Sequence, residues 1–294
     1  MTAQDSAEAR RAPGFALVLA GGGVAGIAWE LGVLRGLADA DPALAERILA
    51  ADLVVGTSAG SSVGAQITSG TGLDELYANQ LRPESAELDV DVDQGALFAS
   101  LTQALAGAAD PAEAGRRLGA LALAATTVDP AARLAAIDAR LPAKQWPDGR
   151  RLMLPAVDAD SGELTVFTRE SGVALVDAVA ASCAVPGVWP PVAIGGRRYI
   201  DGGARSMTNA DLAAGAARVL IIQPALAGAA QPWGSLAAEI AELAPAAVHV
   251  ISADQASIDA FGTNALSPAT RPASARAGRA IGLAEAAAVA ALGV

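Results

Sequence analysis

The sequence predicts an α/β fold built around a mostly parallel sheet. Short apolar runs typical of buried strands alternate with segments of helical spacing, and this alternation is typical of parallel sheets covered by helices. The chain has 294 residues, of which 53% are apolar and 17% charged. It is therefore long and apolar enough to bury a full core and too apolar to remain disordered.

Two strands, each followed by a small-residue turn and a helix, begin the predicted sheet. Residues 15–19 form an apolar run before three glycines, and apolar residues at helical spacing follow over 24–40. Residues 51–55 run into the sequence GTSAG, and a helix of small residues is expected over 61–69. Glycine-rich punctuation between periodic segments indicates tight strand-to-helix turns.

The remaining elements continue the alternation. The predicted strands are 152–158, 163–168, 218–223 and 248–252, and the predicted helices are 173–181, 211–217, 236–243 and 274–292. The alanine-rich region from 73 to 147 contains no convincing strand and predicts a helical insertion over one end of the sheet. We expect a single domain over residues 14–294, with residues 1–13 as a flexible tail.

Composition excludes several classes of function. A net charge of −11 with 3% aromatic residues argues against a nucleic-acid partner. The single cysteine, Cys183, and the single histidine, His249, exclude an internal disulfide and a Cys- or His-rich metal site. The polar N-terminus lacks the apolar region of a secretory signal, and the longest uncharged stretches are broken by glycine or proline. We expect a cytoplasmic protein.

The sequence Gly56-Thr-Ser58-Ala-Gly60 fits the nucleophile-elbow pattern G-x-S-x-G. A serine on a tight strand-to-helix turn needs small residues on both sides, because the backbone packs closely there. Such a turn exposes the Ser58 hydroxyl and directs the first N–H groups of the helix at developing negative charge. The simpler interpretation is a tight turn with a capping serine.

The glycines at 21–26 allow two functional interpretations. Gly21-Gly22-Gly23-Val-Ala-Gly26 fits the dinucleotide fingerprint G-x-G-x-x-G, which predicts a nucleotide-binding oxidoreductase. The acidic residue that this fingerprint requires would be Asp39 or Asp41, but both lie at the end of the first helix rather than after a second strand. The same glycines serve equally well as an oxyanion hole built from backbone N–H groups.

Asp201 and His249 are the candidate bases. Tyr199-Ile-Asp201-Gly202-Gly203 places a carboxylate at the end of a short apolar stretch. His249 alternates with apolar residues inside a predicted late strand, which is more typical of a packed residue than of a catalyst. Cys183 reads as a small buried residue.

Together, four blocks resemble the patatin-like phospholipase family in its bacterial form. They are residues 20–26, 56–60, 181–192 and 199–203, and Asn209 resembles the family's downstream asparagine. The resemblance covers about residues 16–214. It implies a three-layer α/β/α sandwich and a serine acyl hydrolase that cleaves lipid esters through an acyl-enzyme.

The resemblance also implies the roles of individual residues. Ser58 would be the nucleophile, Asp201 the general base, and the N–H groups of Gly22 and Gly23 the oxyanion hole. Gly21, Gly26, Gly56, Gly60, Gly202 and Gly203 would support these turns. No histidine, metal or organic cofactor is implied. A catalytically silent relative that only binds remains an alternative, as does the oxidoreductase.

Two residues depart from the family's glycine block, which commonly begins with Asp and contains an Arg. Ala20 and Ala25 stand at those positions. Loss of the arginine charge favours neutral esters over phosphate-bearing substrates. The substrate is expected to be a lipid or another ester, and any membrane contact would be apolar and transient. Leu97, Phe98, Leu101 and Leu105 recur at helical spacing and form either a substrate wall or ordinary core; nothing indicates an oligomeric state.

Overall fold

An eight-stranded sheet forms the centre of the computed structural model, which describes residues 14–231 and 234–294. The predicted tail at 1–13 lies outside the described residues. The strands are β1 Phe15–Leu19, β2 Leu53–Gly56, β3 Arg151–Asp158, β4 Leu164–Phe167, β5 Val192–Ile194, β6 Arg197–Asp201, β7 Arg218–Leu226 and β8 Ala247–Ala253. Their order is β5-β6-β3-β2-β1-β7-β8, and β4 pairs with β3.

The middle of the sheet is parallel and one side is antiparallel. Strands β3, β2, β1, β7 and β8 pair in parallel, whereas β3–β4, β3–β6 and β5–β6 pair antiparallel. Met153 lies opposite Val55, and Ala156 lies opposite Asp201. Ala156 is three residues beyond Met153 on β3, and Ser58 is three residues beyond Val55 on β2. Asp201 and Ser58 therefore lie at the same level along the sheet. The mostly parallel α/β fold is confirmed.

Eleven α-helices cover the sheet within the described part of the chain. They are α1 Gly23–Ala40, α2 Pro42–Leu49, α3 Ala59–Ile67, α4 Leu73–Leu81, α5 Gln94–Leu105, α6 Pro111–Ala124, α7 Pro130–Arg140, α8 Leu175–Ser182, α9 Leu236–Glu242, α10 Gln255–Phe261 and α11 Arg271–Ala290. None of these helices is long and apolar enough to cross a membrane.

The two faces of the sheet bury alternate side chains of the same strands. Leu17 and Leu19 of β1 belong to the larger core, which includes residues of α1, α2, α3 and α11. Ala16 and Val18 face the opposite side, where the 3₁₀ helix Ala210–Ala213 and α9 pack. Burial on both faces explains why β1 reads as a continuous apolar run, and it produces three layers.

Helices α1 and α11 pack closely where glycines of α1 contact the backbone of α11. This contact fixes the position of α1, the helix that begins at the glycine loop. A Cβ atom on Gly32 would lie 2.2 Å from the Ala275 carbonyl oxygen, and one on Gly36 would lie 2.1 Å from the Arg279 carbonyl oxygen. Added methyl groups would force the two helix axes apart. The absence of side chains at Gly32 and Gly36 therefore allows α1 to pack closely against α11.

The structure differs from the sequence-based expectation in a few short elements. The helix predicted over 211–217 is wrong: the 3₁₀ helix Ala210–Ala213 ends before Gly215, whose φ of 88° breaks helical geometry. Helices α2 and α10 and strands β5 and β6 were not predicted. The region from 73 to 147 contains α4 to α7 and no strand.

Candidate active site

Ser58 occupies a strained turn between β2 and α3. Its backbone has φ 51° and ψ −112°. Among the described residues other than glycine, only Ser58 and Asn209 have positive φ. A residue with a Cβ atom adopts such a conformation only where its surroundings impose it. The turn has the sharp strand-to-helix form that the G-x-S-x-G pattern predicts.

The two outer glycines of this turn are required by close backbone contacts. A Cβ atom on Gly56 would lie 2.4 Å from the Gly60 carbonyl oxygen. A Cβ atom on Gly60 would lie 2.1 Å from the carbonyl oxygen of Leu19 in the neighbouring strand. Any larger residue would displace the backbone that carries Ser58.

The segment after α8 contacts the backbone of both candidate catalytic residues. The Ser58 N–H donates to Ser182 Oγ over 3.0 Å, and Cys183 Sγ donates to the Ser58 carbonyl over 3.1 Å. The Asp201 N–H donates to the Ala184 carbonyl over 2.9 Å. Residues 182–184 thus fix the two turns relative to each other, and Cys183 is a buried structural residue.

Asp201 ends β6 with its carboxylate buried beside Ser58. Oδ1 accepts the Gly203 N–H over 2.7 Å, whereas Oδ2 has no hydrogen-bond partner among the described residues. Burial raises the pKa of Asp201 to about 7, although the Ser58 hydroxyl, the Gly203 N–H and the charge of Arg133 each lower it. The hydroxyl is thus close enough to act on the carboxylate without completing a well-formed bond to Oδ2. A carboxylate that titrates near neutral pH suits a general base.

The glycine loop after β1 passes directly beside Ser58. A Cβ atom on Gly21 would lie 3.4 Å from the Ser58 Cβ. The Gly21 N–H is bonded to the Met207 carbonyl over 2.8 Å, whereas the N–H groups of Gly22 and Gly23 have no acceptor among the described residues. These two donors belong to the start of α1, where the helix dipole favours negative charge.

A third unpaired donor lies among the first helical N–H groups that the nucleophile-elbow pattern directs at the site. The N–H of Ala59, the first residue of α3, also lacks an acceptor among the described residues. Because Ala59 directly follows Ser58, its N–H occupies the place of an oxyanion donor in hydrolases that have a nucleophile elbow. The G-x-S-x-G pattern itself was the signal that pointed to this group.

Asn209 joins the turn of Ser58 to the turn of Asp201. Its Nδ2 donates to Thr57 Oγ1 over 3.0 Å, to the Ser206 carbonyl over 2.7 Å and to the Gly202 carbonyl over 3.4 Å. Thr57 precedes Ser58 and Gly202 follows Asp201. The side chain is fully buried, so both turns depend on it for satisfied polar groups.

A known protein family matches about two thirds of the chain. The sequence profile of the family described as patatin-like phospholipase matches residues 17–214. The chain belongs to that family. The family comprises lipid acyl hydrolases and phospholipases.

The chain was also compared with solved structures and with curated proteins. The crystal structure of VipD from Legionella pneumophila is similar with a TM-score of 0.38 and 11% identity, over 84% of this chain and 53% of that one. This patatin-like chain thus spans about half the length of that protein. A search of curated proteins gives no significant match.

The two departures from the patatin-like glycine block are buried. The Ala20 carbonyl accepts the Gly60 N–H over 2.9 Å, and the Ala25 N–H donates to the Ala265 carbonyl over 2.9 Å. Both alanine side chains belong to the core. Backbone contacts therefore hold the loop in place without the charged side chains that the family commonly has there.

Sequence analysis missed a buried cation that the structure places at this patatin-like site. Arg133 of α7 is 6% exposed, and its guanidinium carbon lies 3.7 Å from the centre of the Trp189 ring. Burial lowers the pKa of Arg133 to about 10, so the side chain remains charged at neutral pH. Arg133 acts electrostatically on both Asp201 and Cys183. No sequence motif marks this residue.

His249 lies too far from Ser58 to act as its base. Its Nε2 is 2.9 Å from Glu285 Oε2 of α11. His249 on β8 pairs with Leu220 on β7, and the register continues through β1 to Val54 on β2. Three strand spacings therefore separate His249 from Val54. That separation is about 14 Å across the sheet, before the further rise along β2 to Ser58 is added.

The acidic residues that a dinucleotide site would need are engaged elsewhere. Asp39 pairs with Arg35 and Arg279, and Asp41 caps α2 by accepting the Leu44 N–H over 3.0 Å. Both lie at the end of α1, and a helix of 18 residues places them about 27 Å from its start. The structure does not favour the oxidoreductase interpretation.

The site is almost closed to solvent. Ser58 is 6% exposed and Asp201 is 4% exposed. A cavity of about 210 Å³ lies near the first turn of α1; its lining includes Val24, Ile27 and Arg140. This volume is below that of a typical ligand pocket.

Proposed function

We propose that this chain is a serine acyl hydrolase that cleaves carboxylic esters of lipids, with Ser58 as nucleophile and Asp201 as general base. The observation that carries the proposal is the buried carboxylate of Asp201, with a pKa of about 7, beside a serine on a strained turn. Membership of the patatin-like family supports the same reaction class.

The proposed reaction has two steps, formation of an acyl-enzyme and its hydrolysis. Asp201 accepts the Ser58 hydroxyl proton while Oγ attacks the ester carbonyl; the tetrahedral intermediate then collapses, and the leaving alcohol takes the proton from Asp201. Asp201 next accepts a proton from water, which attacks the acyl-enzyme. The acid is released and Ser58 regains its proton.

The oxyanion of both intermediates is stabilised by backbone donors. The free N–H groups of Gly22 and Gly23 are the donors we propose, with Ala59 as a third. One preorganised donor is worth about 3–4 kcal/mol in the transition state. Gly22 and Gly23 leave no side chain between these donors and the carbonyl oxygen.

Helix α5 is our candidate for an apolar contact with the lipid surface. Leu101 and Leu105 pack against the core beside α6, and Leu97 packs against the cluster around Trp189. Phe98 is 72% exposed and points away from this packing. We therefore propose that the predicted stripe is mostly core and that Phe98 supplies a transient apolar contact.

Labelling by a fluorophosphonate probe tests the proposed nucleophile. We expect the probe to modify Ser58, as located by peptide mapping, and Ser58→Ala to abolish both labelling and ester turnover. Ser69→Ala, at a half-buried position two residues beyond the end of α3, is the matched control and should retain both activities. A folded protein that shows neither labelling nor ester cleavage would support the silent-relative alternative. Nicotinamide binding by fluorescence titration would instead support the oxidoreductase.

A further inference from the structure

Arg133 is a buried cation that lacks a direct partner in the described part of the chain, although the charges of Glu87 and Asp201 act on it. No described residue forms a hydrogen bond or ion pair with it; its one specific contact is with the face of Trp189. Its Nη1 is fully buried and unsatisfied. A buried charge is costly unless it is paired, and a cation–π contact returns only a part of that cost. The side chain is therefore poised to accept an anionic partner.

The neighbouring charges leave an excess of positive charge around Arg133. Arg140 forms a buried ion pair with Glu87 over 2.5 Å, and Arg271 lies close enough to act on both of these groups. Three arginines thus act on one glutamate, and one of them, Arg133, also acts on the carboxylate of Asp201. This local excess is unusual in a chain whose net charge is −11.

Arg133 also lies close to the proposed reacting atoms. It acts on Asp201 and on Cys183, and Cys183 donates to the Ser58 carbonyl. Asp201 does not neutralise it through a hydrogen bond, because Oδ1 is bonded to the Gly203 N–H and Oδ2 is unpaired. When Asp201 takes up the Ser58 proton, the negative charge passes from its carboxylate to the oxyanion, so the carboxylate no longer offsets the charge of Arg133.

We propose that Arg133 binds the phosphate of an anionic phospholipid and thereby determines the substrate class of the enzyme. This inference rests on the proposed acyl hydrolase function. A guanidinium forms charge-assisted hydrogen bonds to phosphate oxygens, which would satisfy the donors of Arg133. Arg133 of α7 supplies the positive charge that is absent at Ala25. This proposal is the opposite of the expectation of neutral substrates that was drawn from Ala25 alone.

Kinetics on matched short-chain substrates test the proposal. We expect kcat/KM for monomeric dihexanoylphosphatidylglycerol to exceed that for dihexanoylglycerol at least tenfold. Arg133→Met should lower the ratio of kcat/KM for the phospholipid to kcat/KM for the neutral ester at least tenfold, because the effect of the lost charge on Asp201 is common to both substrates, whereas Arg133→Lys should retain part of the preference. Arg116→Met removes an exposed charge from α6 and should change neither substrate. Equal losses on both substrates, or none, would overturn the proposal.

A binding measurement separates this proposal from the proposed function. Calorimetry with a non-hydrolysable ether analogue of the phospholipid should show at least tenfold weaker binding to Arg133→Met than to the unchanged protein. That loss supports the anion site even if Ser58 is not labelled. Equal binding by both proteins overturns the role of Arg133 even if Ser58 is labelled and esters are cleaved.

A third measurement needs no variant and covers the case in which Arg133→Met does not fold. Glycerol phosphate should slow the labelling of Ser58 in the unchanged protein by a neutral fluorophosphonate at least threefold, and glycerol at the same concentration should not. Equal labelling rates with both compounds would contradict an anion site beside Ser58.

Discussion

Asp201→Asn should stabilise the protein increasingly as pH rises while removing its activity. The folded protein holds the carboxylate in a buried place that raises its pKa to about 7. The unfolded chain ionises near the ordinary value of about 3.9. Folding therefore favours the protonated acid, and its contribution to stability is fully present below pH 3.9 and is lost as pH rises toward 7.

The size of this effect follows from the two pKa values. Each unit of difference corresponds to about 1.4 kcal/mol, so ionised Asp201 costs roughly 4 kcal/mol at pH 8.5. At pH 5 the same linkage gives a cost of roughly 2 kcal/mol. An asparagine does not ionise, so Asp201→Asn avoids this cost. The difference in the free energy of unfolding between Asp201→Asn and the unchanged protein should therefore increase by roughly 2–3 kcal/mol from pH 5 to pH 8.5.

Urea unfolding at pH 5, 7 and 8.5 measures this difference directly, and any pH-independent effect of the amide cancels. The kinetic counterpart is kcat/KM of the unchanged protein on a neutral ester, which should rise with pH and level off above about 7 because the base must be ionised. The reasoning is refuted if the stability difference is constant across this range. It is equally refuted if the rate at pH 5 matches the rate at pH 8.5.

Three further substitutions test other parts of the site. Asn209→Ala removes the bonds that join the two turns and should lower kcat on the order of a hundredfold, as measured by ester hydrolysis on a variant shown to be folded by circular dichroism. Gly60→Ala places a methyl group against the Leu19 carbonyl and should cost about 1–3 kcal/mol in thermal unfolding, whereas Gly72→Ala, where nothing lies within 4 Å, should be neutral. His249→Ala should retain kcat within twofold; a large loss in a folded variant would mean that His249 takes part in catalysis.

The parallel strands were predictable because burial on both faces leaves a continuous apolar run. All five residues of β1 are buried, and all four of β2. The three residues Val192–Ile194 of β5 are only partly covered, so they carry no such run. Helix α2 has eight residues, which is short for a periodic signal to stand out. The assignment of residues 14–294 to one domain stays a prediction.

The candidate nucleophile and base were predictable because each occupies a glycine turn directly after a strand. The contacts that join them were not. Ser182 and Asn209 act through hydrogen bonds to Ser58 and Thr57 across more than a hundred residues of sequence. Such pairings depend on the register of β2, β3 and β6, and a single sequence contains no direct signal for strand register of this kind.

The role of Arg133 was not predictable for a different reason. On α7 a charged residue is buried while its apolar neighbour is exposed. Arg133 is 6% exposed whereas its neighbour Leu134 is 36% exposed. Arg133 and Arg140 are seven residues apart, so they share the buried face of the helix with Ile137. A sequence-based assignment places the leucine inside and the arginine outside, and it reads Ala25 as the loss of a charge. Departures from local rules concentrate at functional sites. The inverted face of α7 therefore supports the proposed role of Arg133 in substrate recognition, in which another element supplies a charge that is missing from the glycine block.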